Sequence, residues 1–313
     1  RLFQLQISQG EKYLALSEQN FVQEQLVPPL RGRILDREGR PLADNRPAYN
    51  IYLTPAFMGS TPEQVLVKLE GFLNLSGEES SLIRFHLSKA RGGQKFREIL
   101  IKTDISRDQL ALLEGHKMEL PGISMRPGPK RDFPEGELLA HLLGYVSPVT
   151  ERELKENPTI PSSAATGKAG IEQQYESLLR GQFGLKRVVV DSQGRIKNGA
   201  GTNDTLIKEA DTPPVPGFDL TLSIDLDLQK AARTAFADRT GSVVAMDVET
   251  GAVLVWVSQP GYDPNKFVSG ISTNDWERLR NSILDPLIDK VAQASYYPGS
   301  TYNHINAARG EGC

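Results

Sequence analysis

Cysteine is almost absent: of the 313 residues only Cys313 is one, and it is the last. No intrachain disulfide and no cysteine-based metal site can form, which fits the cytoplasm and equally a disulfide-free periplasmic protein. Long apolar runs are missing as well. The longest, Ser242 to Met246 and Gly251 to Val257, have strand length, so no segment is a candidate membrane span. Charge of one sign is not in excess: 36 Lys and Arg against 39 Asp and Glu leave a net charge of -3, with no global field to draw the chain to nucleic acid or anionic lipid. Histidine is scarce. His86, His116, His141 and His304 are scattered and none stands in an H-E-x-x-H pattern, so a zinc hydrolase has almost no support.

The length predicts about two domains. The chain opens at Arg1 rather than Met, on Leu2, Phe3, Leu5 and Ile7, and the expectation is that a signal peptide or an anchor precedes it. Arg1 to Gln19 reads as a weakly amphipathic helix. Gln23 to Val27 reads as extended, and Arg31 to Leu35 as a strand ending in the turn Asp36-Arg37-Glu38-Gly39. A second strand is predicted over Tyr49 to Leu53. Apolar spacing predicts a helix over Pro62 to Phe72, with Thr61 as N-cap and Gln64 completing a capping box. A helix over Glu78 to Lys89, a strand over Arg97 to Ile101 and a short helix opened by Ser106 and Gln109 complete a small α/β lobe.

Beyond it, Ile123 to Arg131 reads as extended and basic, and helices are predicted over Glu137 to Leu143 and Ile171 to Leu179. Leu185 to Val190 and Arg195 to Lys197 flank Asp191-Ser192-Gln193-Gly194 in a hairpin pattern. Asn198 to Pro216 has linker composition. Then follow a strand at Asp219 to Ile224, a helix at Leu226 to Ala237, and a hairpin of Ser242 to Val248 with Ala252 to Val257 whose strands read as doubly buried. Helices are predicted near Asn274 to Leu279 and Pro286 to Ala294.

Three segments invite chemistry. Ala165-Thr166-Gly167-Lys168-Ala169 resembles a phosphate loop, but the pattern needs Gly at Ser162 and Ser or Thr at Ala169, so a plain helix start is preferred. The basic run Arg126, Lys130 and Arg131 is read as a solvated loop rather than an anion site. Tyr297-Pro298-Gly299-Ser300-Thr301-Tyr302 places a Ser after a Pro-Gly turn at a helix start, where free N–H groups favour a developing alkoxide; on this segment alone, a simple N-cap is preferred.

Taken together, the segments resemble a class B penicillin-binding protein of the elongation type, penicillin-binding protein 2. Arg31-Gly32-Arg33-Ile34-Leu35-Asp36-Arg37-Glu38-Gly39-Arg40-Pro41-Leu42-Ala43 is similar to the motif opening that family's non-catalytic pedestal. Gly167-Lys168-Ala169-Gly170-Ile171-Glu172 with Tyr175, Leu179, Arg180 and Gly181 resembles its second pedestal motif. Asp219 to Lys230 and Ser258-Gln259-Pro260-Gly261-Tyr262-Asp263-Pro264-Asn265 look like the entry to the transpeptidase domain, and Phe267 to Ser272, Trp276 and Pro286-Leu287-Ile288 favour the elongation subfamily.

The resemblance implies an α+β fold: an elongated pedestal or dimerisation domain over 1–211, carrying a head lobe at about 46–150, then over 212–313 the N-terminal part of a serine transpeptidase, β-lactamase-like domain. It implies a peptidoglycan D,D-transpeptidase acting on D-Ala-D-Ala stem peptides and trapped by β-lactams, with Ser300 as nucleophile in an S-x-x-K tetrad and neither metal nor organic cofactor. It further implies the periplasmic face of the bacterial inner membrane, an anchor upstream of Arg1, and a SEDS-family glycan polymerase and a rod-shape scaffold protein as partners. The chain departs from the family at Asn303, which stands where Lys is expected, and neither S-x-N nor K-T-G occurs between Ser300 and Cys313. An amide cannot take the Ser proton, so the chain itself is expected to be inactive. His304 to Cys313 lacks the apolar helix expected after the nucleophile and reads like a foreign tail. The alternative reading is a non-catalytic pedestal that binds or activates the polymerase. Two structural expectations accompany these: the hairpin Ser242 to Val257 keeps an uncovered apolar face and an unpaired edge, and Arg1 to Lys197 folds alone.

Overall fold

A computed structural model of the chain describes residues 22–59, 62–96, 98–157, 159–161, 163–189, 211–295 and 297. The helix over Arg1 to Gln19, the Thr61 cap, the strand Arg195 to Lys197 and most of the linker lie outside these residues. The strands, in chain order, are β1 (Val22–Val27), β2 (Ile34–Leu35), β3 (Pro41–Leu53), β4 (Ile99–Lys102), β5 (Ile123–Asp132), β6 (Val146–Pro148), β7 (Ala165–Gly167), β8 (Gly184–Val189), β9 (Leu220–Thr221), β10 (Gly241–Met246) and β11 (Val253–Gln259).

β3 is the spine. At about 3.3 Å per residue its 13 residues span roughly 43 Å. Its start pairs with β2 (Ile34 opposite Ala43) and its end with β4 (Leu53 opposite Ile99), while β5 lines the opposite edge from Asp44–Asp132 to Leu53–Ile123. The strand is longer than Tyr49 to Leu53 because this ladder draws Asp44 to Pro47, residues of low strand propensity, into the sheet. At the far end helices Pro62–Leu73, Gly77–Lys89 and Arg107–Gly115 cover the sheet as the head lobe. Val65, Leu66, Leu69 and Leu73 share one face of the first helix and bury against Ile51, Leu53, Leu113 and Leu120. Ser76 with Glu79, and Ser106 with Gln109, close capping boxes that start the other two helices.

β8 pairs antiparallel with β1, from Val22–Val189 to Val27–Gly184. The helix predicted over Ile171 to Leu179 breaks at Tyr175 into Gly170–Gln174 and Glu176–Leu179. After residues 190–210, which lie outside the described ones, β9 joins β2 in parallel, with Ile34 opposite Leu220, so the sheet of β2 and β3 continues into this later stretch of the chain. One core results: Ile34, Leu42, Phe133, Leu139, Leu143 and Leu179 bury with Ile224, Leu226 and Val268. This argues against independent folding of Arg1 to Lys197, which would leave that core open. At this junction a Cβ on Gly32 would stand 1.9 Å from the Phe218 carbonyl oxygen, so only glycine lets the two backbones pass.

The β10–β11 hairpin forms as expected, with Val243 opposite Val257, but it is not doubly buried. Val255 and Val257 of β11 are buried, whereas Val244 and Met246 of β10 are 43% and 55% exposed and Val248 beyond them is 99% exposed. The open apolar face is therefore present, and among the described residues β10 pairs only with β11. Pro286 to Ala294 forms turns instead of the predicted helix. The backbone N–H groups of Asp289, Lys290 and Val291 go to the side chains of Gln293, Ser258 and Asp289, which compete with helical pairing. No helix among the described residues is long and apolar enough to cross a membrane.

Candidate functional site

The two pedestal motifs meet. Arg31, entering β2, donates from Nε to Glu172 Oε2 at 2.6 Å and from Nη2 to Glu176 Oε2 at 2.5 Å. Arg131, near the end of β5, donates from Nε to Glu172 Oε1 at 2.7 Å and from Nη1 to the Gly32 carbonyl at 2.8 Å. The side chain of Glu172 is fully buried and that of Arg131 is 2% exposed. Burial, with the nearby charge of Arg31, lowers the Arg131 pKa despite Glu172; in Arg31 burial acts the same way but Glu172 and Glu176 overcome it and raise the pKa. Asp36, in the turn after β2, is buried too. Burial pushes its carboxyl up, but the Arg40 and Glu38 N–H groups and the Arg40 guanidinium pull it below the ordinary range.

This placement corrects the reading of the basic run as a solvated loop. Arg131 is in the knot, Lys130 pairs with Asp104 at 2.9 Å, and Arg126 pairs with Glu98 while lying over the Tyr52 ring. The phosphate-loop alternative falls on geometry as well as pattern: Lys168 Nζ is held by both oxygens of Glu153, and the Gly167 N–H donates to Glu176. Among the described residues no group of three or more His, Cys, Asp and Glu could hold a metal. His116 contacts the Leu112 carbonyl, and His304 lies outside the described residues.

Ser300 and Asn303 also lie outside the described residues; the segment that leads to them is described through Ser295 and again at Tyr297. It is clipped to β11. Ser258 Oγ accepts the Lys290 N–H at 2.9 Å and faces the Ile288 carbonyl at 3.4 Å, while Trp256 Nε1 donates to Asp289 Oδ2 at 3.2 Å. Lys290 is 7% exposed, its Nζ donates to the Asp285 carbonyl at 2.9 Å, and burial lowers its pKa. From the pedestal side His141 Nε2 sits 2.9 Å from the Pro286 carbonyl and stacks edge-on to Tyr262; burial lowers its pKa. The Asn265 side chain both donates to and accepts from the Phe133 backbone at 3.0 Å.

Sequence reasoning missed the residue that ties these parts together. Gln229, fully buried on helix Leu226–Phe236, donates to the Leu138 and Trp256 carbonyls and accepts the Trp256 N–H. The available signal was its spacing from Leu226, which puts an uncharged amide on the helix's inward face. Ser258 and Lys290 carried no such signal, because nothing local shows that a hydroxyl on a strand will meet a loop beyond the next helices.

A pedestal knot, a sheet shared with the following segment, and a loop clipped to β11 ahead of the sequence Pro298-Gly299-Ser300 mark a two-part protein of the penicillin-binding class. The family model for the penicillin-binding protein dimerisation domain matches residues 26–222, and that for the penicillin-binding protein transpeptidase domain matches residues 241–310. The chain belongs to the penicillin-binding proteins that join these two domains. It is 34% identical over 308 residues to the peptidoglycan D,D-transpeptidase MrdA of Acinetobacter baumannii, covering 98% of this chain and 44% of that protein. To MrdA of Escherichia coli K12 it is 34% identical over 306 residues, covering 96% and 46%. The solved complex of penicillin-binding protein PBP2 with MreC from Helicobacter pylori superposes with a TM-score of 0.70 at 28% identity, covering 90% of this chain and 51% of that one. The chain thus spans under half the length of the curated relatives it matches.

Proposed function

We propose that the chain is the pedestal and the nucleophile-bearing start of a peptidoglycan D,D-transpeptidase of cell-wall elongation, with residues 1–211 as pedestal and 212–313 as transpeptidase region. In the parent reaction the Ser300 hydroxyl attacks the penultimate D-Ala carbonyl of a stem peptide. Terminal D-Ala leaves, and an amine of a neighbouring stem takes the acyl group from the enzyme; β-lactams acylate the same oxygen. The observation that carries this reading is the sequence Tyr297-Pro298-Gly299-Ser300-Thr301 inside the transpeptidase match, following a loop held to β11 by Ser258 and Trp256. The setting is the periplasmic face of the inner membrane.

Asn303 separates the parent activity from this sequence. Its amide does not accept the Ser300 proton, so the chain as it stands is inactive, and a second reading, a pedestal that engages a glycan polymerase or a rod-shape scaffold, describes its own behaviour. The scaffold partner is supported by the Helicobacter pylori relative being solved with MreC. Fluorescent penicillin tests both parts. The unchanged chain is expected to remain unlabelled, and labelling at Ser300 would overturn the inactivity; labelling of Asn303→Lys that persists in Ser300→Ala would overturn the choice of nucleophile.

A further inference from the structure

Between the head lobe and the rest of the pedestal lies a groove of about 740 Å³, within the range of small-ligand sites. Pro28, Pro29 and Phe183 give it an apolar wall. Its charged lining is one-sided: Arg31, Lys130, Arg131 and Arg180 face Glu98 alone, with Glu98 engaged by Arg126 and Lys130 by Asp104. The two knot carboxylates, Glu172 and Glu176, do not line the groove and stand behind the guanidinium groups.

The knot itself is short of negative charge. Glu172 is shared by Arg31 and Arg131, and Glu176 by Arg31 and Arg180, the last at 3.8 Å, so three guanidinium groups meet two carboxylates. Asp44, the next carboxylate, attracts Arg131 through space but accepts from the Asn45 N–H and is hydrogen-bonded to none of the three among the described residues. Arg131 is 4% exposed, and its Nη2 has no partner among the described residues. A buried donor without an acceptor, beside an uncompensated cation in low-dielectric surroundings, favours an anion. Burial lowers the Arg131 pKa, against the pull of Glu172 and with the like charge of Arg31.

We propose that this groove binds a small carboxylate with an apolar body, the carboxylate at Arg180 beside Arg131 and the body along Pro28, Pro29 and Phe183. The site belongs to the pedestal and is independent of Ser300 chemistry.

The test is calorimetric titration of the chain with phenylbutyrate, phenylbutanol and inorganic phosphate. Phenylbutyrate is expected to bind in the millimolar range or tighter, and at least about tenfold more tightly than the alcohol, about 1.4 kcal/mol. Arg180→Gln should weaken it by about tenfold, and Ala165→Trp, which fills the groove from a lining position, should abolish it. If Arg180→Gln fails to fold, Ala165→Trp and the comparison of phenylbutyrate with the alcohol carry the test. No phenylbutyrate binding, equal affinity for the alcohol, or affinity unchanged in the folded variants overturns the proposal; phosphate binding as tightly as phenylbutyrate overturns the role of the apolar body.

Discussion

Glu172→Gln puts the pedestal knot to its sharpest test. The carboxylate takes Arg31 on one oxygen at 2.6 Å and Arg131 on the other at 2.7 Å, with no solvent to replace either. A Gln amide has one carbonyl oxygen, so it satisfies one arginine and turns an NH₂ toward the other. Arg31 keeps Glu176, but Arg131 keeps only the Gly32 carbonyl, with its Nη2 already unpaired among the described residues. Removing one partner of a buried ion pair costs about 3–5 kcal/mol. With a urea slope of about 2–3 kcal/mol/M the unfolding midpoint should fall by roughly 1–2 M. Trp256, packed on the shared core, supplies the fluorescence signal. The joint variant Glu172→Met with Arg131→Met, which removes both charges, should be less destabilised than Glu172→Gln alone, because an apolar pair leaves no stranded charge. A cost below about 1 kcal/mol for Glu172→Gln, or a joint variant worse than the single one, would refute the argument that uncompensated charge sets the penalty.

Gln229→Ala leaves the Leu138 and Trp256 carbonyls and the Trp256 N–H without their side-chain partner, and at about 1–3 kcal/mol per stranded buried group it should lower the thermal midpoint clearly; an unchanged melt would contradict the bridging role. Acid should loosen the structure in two places: the hydrogen bond from Arg46 takes Asp104 from 3.8 to about 2, and Glu153 goes from 4.5 to about 2 as Lys168 overcomes the upward push of burial. Both carboxyls bind fewer protons folded than unfolded, so their stabilisation is complete above about pH 5 and fades as pH drops through about 4 to 2; urea midpoints of Asp104→Asn should fall less over that window than those of the unchanged chain. Met246→Lys, on the open face of edge strand β10, should reduce concentration-dependent light scattering, and scattering unaffected by it would place the sticky surface elsewhere. Ser258→Ala should expose Lys290 to trypsin, seen as a new cut after that residue by mass spectrometry; continued protection would show that the Ser258 clip does not hold the loop.

The local elements were legible because their causes are local. Ser106 and Gln109 close a capping box whichever core the helix later joins, and Val65, Leu66 and Leu69 mark one helix face within two turns. The errors have a common physical origin in long-range competition. Pro286 to Ala294 keeps helical apolar spacing, yet Ser258 and the side chains of Asp289 and Gln293 take its N–H groups. The basic run at Arg126 to Arg131 reads as solvated until β5 is laid along β3 and its charges meet Glu98, Asp104 and Glu172.

By itself the sequence determined most of the described helices and strands and the two pedestal motifs, since each is a pattern within about a dozen neighbouring residues. Only the tertiary structure decided that Arg31 and Glu172, 141 residues apart, are hydrogen-bonded, that β9 extends the sheet beside β2, and that Gln229 spans both parts. Such contacts depend on which surfaces the finished ladders bring together, and a linear pattern of residue types does not encode the distance between two of them.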